Sequence, residues 1–324
     1  MNQTNHLNRR ELLARLGGGV LFLLVGEAAG QRLLAGRLHF SEDGLVTLLT
    51  GKVEIGQGCR TLLTQCVAEE LQVDPAKVRV VMGDTALAPD DGGTYGSLTT
   101  PLTVPVVRQA AAAAREMLRT MTPEDAMRRE IPVEVDLTPP ERWHVLGTPL
   151  QNVNARAIVT GSLKYSSDIR LPGMLAGKVI RAYAYRADLV SYHSSAAERL
   201  PGVQVVREGN FLGVIAPNDS AARKAAALVR AEWRATPLIE PPELFAHFKK
   251  TAVAPVANWK TRYPPLLEKG SVEEGLKAAA KRHQATYTLR NIAHVPMEPR
   301  AAAAAWSDEG LTVHCGTQVP FVLR

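Results

Sequence analysis

The residues best placed to do chemistry are small or polar rather than charged. They are Gly56-Gln57-Gly58 closing the segment 51–58, the run Asp90-Asp91-Gly92-Gly93-Thr94-Tyr95-Gly96-Ser97, and Gln318 within Gly316-Thr317-Gln318-Val319-Pro320-Phe321. Glycines allow close approach of the backbone to a ligand, and N–H groups opening a helix face an anion with the positive helix end behind them. The turn at 56–58 can therefore serve a phosphate, or be no more than a turn. A glutamine amide such as that of Gln318 can donate a hydrogen bond without titrating near neutral pH. His294 and Glu298 sit in a proline-bounded stretch, where a histidine reads equally as a hydrogen-bonded structural group and a glutamate as a turn cap. Cys59, Cys66 and Cys315 form no CxxC pair, so no zinc or iron–sulfur centre and no disulfide framework can be built from them.

These groups need elements to hold them. Residues 45–50 read as a buried strand, and Leu62, Leu63, Cys66, Val67 and Leu71 recur at helical spacing after Gly58. A second strand over 78–82 ends at Gly83-Asp84-Thr85. After the glycine-rich run, a further helix passes through Val106, Val107, Ala110 to Ala114 and Leu118.

The order strand–GQG–helix–strand–GGTxGS–helix resembles the molybdopterin-binding large subunit of the molybdenum hydroxylases, the xanthine oxidase and aldehyde oxidase family, and most of all the isoquinoline 1-oxidoreductase β-subunit type. Four more phrases extend the likeness. TGxxKYxxDxxLPGML over 160–175 and AAERLPGVQVV over 196–206 resemble the family's α/β hammerhead domain. AHVPMEPRAAAAAW and GTQVPF resemble the start of a further molybdopterin-binding domain. The resemblance implies an α+β, multidomain fold, with the hammerhead domain flanked by partial molybdopterin-binding segments. It implies that Gly56, Gln57 and Gly58 contact the pterin, that Thr94, Gly96 and Ser97 contact the dinucleotide phosphates, and that Gln318 lies beside the oxo ligand of molybdenum as the catalytic-site amide. His294 and Glu298 fall on the substrate side. The implied cofactor is molybdenum–molybdopterin, in the cytosine dinucleotide form, with no metal ligand among this chain's side chains. The implied reaction is hydroxylation of an aldehyde or N-heterocycle with oxygen from water. Its electrons leave through a small iron–sulfur partner subunit, with a cytochrome or similar acceptor beyond it.

Composition bounds the alternatives. The chain has 324 residues, 46% apolar, enough for two ordinary domains. Its net charge of +6 is scattered and aromatics are few, against nucleic-acid binding. Arg9-Arg10 precede an apolar run, 16–26, about the length of a signal-peptide core. This suggests twin-arginine export to the periplasm or the periplasmic face of the inner membrane, as against an amphipathic first helix of a cytoplasmic protein. The expected divisions are a signal or anchor segment 1–36, a molybdopterin-binding segment 37–120, a proline-rich linker 121–152, the hammerhead domain 153–236, a connector 237–286, and a further molybdopterin-binding start 287–324. Within the hammerhead domain a strand over 174–180 and a long helix over 220–233 capped by Asp219 are expected, with Asp168 and His193 as turn or surface groups.

The family's Phe-Gly-Gly loop and its general-base carboxylate have no counterpart in these residues, so the 324-residue chain is expected to be inactive alone. Other readings are an inactive truncated fragment that folds its hammerhead domain, and a generic phosphate- or dinucleotide-binding protein. The latter lacks the GxGxxG spacing and acidic ribose-binding residue of the dinucleotide fold.

Overall fold

Strand β3 (Val46–Thr50) is buried at all five positions, as expected of a continuous apolar run covered on both faces. A computed structural model describes residues 20–28, 31–41, 43–120, 135–253, 269–308 and 310–324, with side chains from Arg37 onward. The described residues fall into two units, one formed by the chain up to Ile169 together with Pro299–Arg324, the other by Arg170–Glu298.

In the first unit a four-stranded sheet has the order β1 (Val20–Ala28), β2 (Gln31–Phe40), β3, β4 (Val78–Met82). β1 and β2 form an antiparallel pair and β2 pairs antiparallel with β3. β3 and β4 are parallel, from Val46 opposite Val78 to Thr50 opposite Met82. The crossover between them carries helix α1 (Cys59–Leu71). Helix α2 (Val104–Thr120) follows β4 and its loop. Leu38, Leu48, Leu63, Cys66, Val67, Val80, Val107 and the alanines of α2 form one core. The alanine run has a clear use here, since small side chains let α2 lie close against its neighbours at interior packing density.

The second unit contains the antiparallel sheet β5 (Ala176–Val179), β8 (Phe211–Ala216), β7 (Gln204–Glu208), and the antiparallel pair β6 (Ala187–His193) with β9 (Arg230–Ala235). Helix α3 (Asp219–Leu228) is capped by Asn218, whose side-chain oxygen accepts from the Ala221 N–H at 2.9 Å. Its core joins Leu189, Val203, Leu212, Val214, Ala222, Ala225 and Val229. Helix α4 (Leu244–Thr251) comes later. Strands β10 (Ala302–Ser307) and β11 (Gly310–Cys315) pair in the first unit.

Several expectations change. The helix expected over 220–233 ends at Leu228, and Asn218 rather than Asp219 caps it. Arg230–Ala235 instead alternates exposed and half-buried residues as β9, because Ala231 and Trp233 follow a period of two against β6. The expected strand over 174–180 shrinks to Ala176–Val179. The connector 237–286 holds α4, and the strand expected at Tyr287 is absent, its residues lying exposed without a pairing partner among the described residues. Residues 153–169, placed with the hammerhead segment, belong to the first unit. Residues 135–150, expected as linker, are pinned to α1, as described below. The apolar run expected to serve export contributes strand β1, and Arg9-Arg10 lie outside the described residues. Among the described residues no helix is long and apolar enough to cross a membrane. Asp168 and His193 are exposed; the Asp168 carboxylate accepts from the Tyr165 N–H at 3.1 Å within a tight turn.

Candidate functional site: three loops tied together

Because β3 and β4 are parallel and in register, the loops 51–58 and 83–98 leave the sheet from the same edge, at the carboxyl ends of both strands. That is where ligands bind in open α/β sheets. Gly83 N–H continues the ladder to the Thr50 carbonyl at 3.0 Å before the second loop departs.

Buried charges join the two loops. The Lys52 side chain, 2% exposed, donates to the Gly93 carbonyl. Burial pushes its ammonium below the ordinary lysine value, opposed by the charges of Asp91 and Asp90. Asp91 accepts two bonds from the Arg37 guanidinium at 2.7 and 2.5 Å, one from the Thr50 hydroxyl at 2.5 Å and one from Gly51 N–H at 2.9 Å. Burial raises the Asp91 carboxyl, yet the Arg37 bonds and charge, with Thr50 and Gly51, outweigh it and hold it below its ordinary value. Val53 N–H donates to the Thr94 hydroxyl at 2.9 Å. The loops also touch backbone to backbone: a Cβ on Gly51 would lie 2.4 Å from the Pro89 carbonyl oxygen, so only glycine fits there.

The third phrase arrives from the far end of the chain. Thr94 N–H donates to the Gln318 carbonyl at 2.8 Å, and a Cβ on Gly93 would lie 2.9 Å from Val319 Cγ1. Pro320 is buried, and Arg324 donates to the Thr85 carbonyl at 2.6 Å. The fold thus brings Gly56, Gln57, Gly58, Thr94, Gly96, Ser97 and Gln318 into one unit, on three connected loops. His294 and Glu298 are exposed and belong to the other unit.

Within the 56–58 turn the donors already have an acceptor. Glu54 Oε1 accepts from Gly56 N–H and Gly58 N–H, each at 2.9 Å, and Oε2 accepts from Arg60 N–H at 2.9 Å. Burial raises the Glu54 carboxyl, but these bonds prevail and hold it below its ordinary value. Gln57 is folded back on its own loop, its oxygen accepting from Ile55 N–H at 2.7 Å and its amide donating to the Val53 carbonyl at 3.0 Å. Gly56 and Gly58 have φ of +99° and +78°, a region open to glycine. As built, the turn offers an incoming anion neither the Gly56 nor the Gly58 N–H group expected from the sequence. Cys59, with burial pushing its thiol up to about 12, donates to the Val53 carbonyl and is no nucleophile.

Other donors stay open. The Gln318 side chain and the N–H groups of Gly96 and Ser97 make no hydrogen bond among the described residues, and all three residues are exposed. Gly96 and Ser97 both have positive φ, 61° and 57°. Thr94 differs from its neighbours: 5% exposed, with its N–H and hydroxyl engaged, it ties the loops and does not face outward. No group of three or more His, Cys, Asp or Glu among the described residues could hold a metal ion.

Sequence reading missed most of the residues that carry this architecture, namely Arg37, Lys52, Glu54 and the pair Glu69-Glu70 on α1, and gave Asp91 no role beyond its place in the glycine-rich run. Glu69 Oε2 accepts three consecutive N–H groups, from His144, Val145 and Leu146, at 3.0, 2.6 and 2.9 Å. Glu70, fully buried, meets Arg108 at 2.6 Å, Arg115 at 3.2 Å and the Thr138 N–H at 3.0 Å. Two adjacent acids set among the apolar positions Cys66, Val67 and Leu71 of α1 are the one signal that could have marked the pair.

Residues 3–139 match a family described as a molybdopterin cofactor-binding domain, and residues 257–324 match a second family of the same description. The chain belongs to the molybdopterin-binding subunits of the xanthine oxidase family. It is 31% identical to a nicotinate dehydrogenase subunit of Pseudomonas putida, over 91% of this chain and 28% of that protein. It is 39% identical to the gamma subunit of the 6-hydroxypseudooxynicotine dehydrogenase complex of Paenarthrobacter nicotinovorans, over 38% of this chain and 15% of the relative. The chain therefore spans under a third of the length of these relatives. Among solved structures, quinoline 2-oxidoreductase from Pseudomonas putida 86 matches at a TM-score of 0.38 and 19% identity, over 52% of this chain and 26% of that one.

For the molybdopterin cofactor of this family, the open donors fit: an amide at Gln318 suits an oxo oxygen, and two N–H groups at Gly96 and Ser97 suit phosphate oxygens. The Gly56 and Gly58 N–H groups do not, because Glu54 holds them.

Proposed function

We propose that this chain forms part of the cofactor-binding portion of a molybdenum hydroxylase subunit that oxidises an aldehyde or N-heterocycle. The observation that carries the reading is the junction of three loops, in which Thr94 N–H meets the Gln318 carbonyl while Lys52 and Val53 tie the first loop to Gly93 and Thr94. The name of the Pseudomonas putida relative, nicotinate dehydrogenase, favours an N-heterocycle.

When bound, the cofactor supplies the two-electron redox chemistry and the activation of water. This chain's share is to bind and orient. Gln318, with its backbone fixed by Thr94, presents an amide that donates without titrating. Gly96 and Ser97 offer N–H groups to the dinucleotide phosphates, in the cytosine form. His294 and Glu298 serve the substrate side. The hammerhead domain lies within 153–236, electrons leave through a small iron–sulfur partner subunit toward a cytochrome or similar acceptor, and Arg9-Arg10 direct export to the periplasm.

Purified full-length protein, from a host that makes the cofactor, should contain molybdenum and release cytidine monophosphate on acid hydrolysis. Folded protein with neither would overturn the reading, and molybdenum without cytidine monophosphate would overturn the cytosine form.

A further inference from the structure

We propose that Glu54 is the permanent internal anion of the 51–58 loop, a positioning residue that shapes the Gly56-Gln57-Gly58 turn and keeps its N–H donors from any incoming phosphate. The part of this inference that concerns cofactor loading rests on the molybdopterin reading above; the part that concerns the turn does not.

The geometry carries it. One carboxylate takes three N–H groups at 2.9 Å each, two of them from glycines in the left-handed region and one at the first turn of α1. The cap position of α1, Gly58, has no side chain to serve that helix end, so Glu54 does the work usually given to a capping residue. The same closure sets Gln57, whose amide turns inward to Val53 and Cys59 and whose oxygen takes the Ile55 N–H. A loop that satisfies itself in this way is already formed before any cofactor arrives. Phosphate oxygens would have to compete with a carboxylate held at close range by three charge-assisted bonds. They meet no such rival at Gly96 and Ser97. A glutamate that merely waited for the cofactor would have to leave these three bonds when the cofactor binds.

The two oxygens have unequal duties, which makes the substitutions informative. In Glu54→Gln the amide oxygen can still serve Gly56 and Gly58, but the NH2 group faces the Arg60 N–H. In Glu54→Ala all three donors lose their acceptor. The full-length protein should therefore melt in the order wild type, Glu54→Gln, Glu54→Ala, with the alanine variant lower by about 5 °C. Sodium acetate, compared with sodium chloride at equal ionic strength, should restore part of that loss in Glu54→Ala and leave the wild type unmoved, since only the variant has an open carboxylate site. Molybdenum per protein should fall in Glu54→Ala and recover with acetate present during loading.

An alanine variant as stable as wild type, or one indifferent to acetate, would overturn the inference. So would a variant that loads molybdenum as well as or better than wild type, the result expected of a placeholder that must move aside. Should Glu54→Ala fail to fold, the gap between wild type and Glu54→Gln decides, with equal melting and equal loading counting against it. Absence of molybdenum from the wild type would sink the molybdopterin reading alone, because the acetate effect on melting is read without cofactor.

Discussion

The two units bury different things. In the first, Arg37, Lys52, Glu69, Glu70 and Thr94 are inside, and their side-chain hydrogen bonds join residues 38 to 77 positions apart. In the second, every buried side chain among the described residues is apolar, and its ion pairs, such as Lys178 with Asp219, lie at the surface. A core of Leu, Val and Ala holds strands and a helix together but says little about where a loop goes. Buried charges are costly unless paired, so they leave few acceptable arrangements and fix loop positions closely. The unit with three converging loops is the one that uses them. The difference suggests that polar burial here serves loop placement, and that the second unit could do without it.

That contrast can be broken by removing its strongest member. Glu70→Ala leaves Arg108 and Arg115 facing an empty site in a region where their side chains are 15% and 12% exposed. The expected loss is about 3–5 kcal/mol in urea unfolding, and a change within error would show the pair to be ornamental to stability. Asp91→Asn should cost about 3 kcal/mol at pH 7, by halving the acceptor set of Arg37 and Thr50. Its pH dependence carries a sign. The Asp91 carboxyl is held below 3.8 in the folded state, so its contribution is complete above that value, where both states are ionised, and is lost as pH falls through the folded value. Unfolding curves of wild type and variant should run parallel from neutral pH down to about pH 5 and converge below 3.8; a gap that widens in acid would contradict the assignment.

Lys52→Met should cost less, about 1–2 kcal/mol, because it removes a desolvated ammonium along with its bond and leaves chiefly the Gly93 carbonyl unpaired. Loss of amide protection by hydrogen exchange confined to 51–58 and 92–98 would sharpen the comparison; protection lost evenly through the sheet would blunt it. At the other extreme, Asp219→Ala in the second unit should leave the melting temperature unchanged within error, since Arg223 is exposed, Lys178 only half-buried, and water replaces the carboxylate. A clear drop there would mean that surface charge matters to the second unit as burial does to the first.

Much of the fold could be read in advance. The strand over 78–82 stands where an apolar, β-branched run puts it, and β3 starts within one residue of its expected place. Helix α1 follows the spacing of Leu62, Leu63, Cys66, Val67 and Leu71. The failures share a cause. Alanine-rich 220–233 reads as continuous helix because alanine and the β-paired residues after Leu228 look alike locally, and only pairing with β6 separates them. Residues 135–150 read as linker because prolines and charges mark a break in local order, while the acceptors that anchor it, Glu69 and Glu70, lie 76 and 68 positions from the residues they hold.

By itself, then, the sequence determined which segments carry the glycine-rich phrases, their order, and the strands and helices that open and close them, because those depend on neighbours within a few residues. Tertiary structure decided which donors remain available. The GQG turn and the GGTYGS run look alike on paper, yet Glu54 fills the first while Gly96 and Ser97 of the second stay open. It also decided that Gln318 belongs beside Thr94, 224 positions away along the chain. Hydrogen-bond satisfaction in a buried loop is a property of everything packed around it, and no spacing rule along the chain can express it.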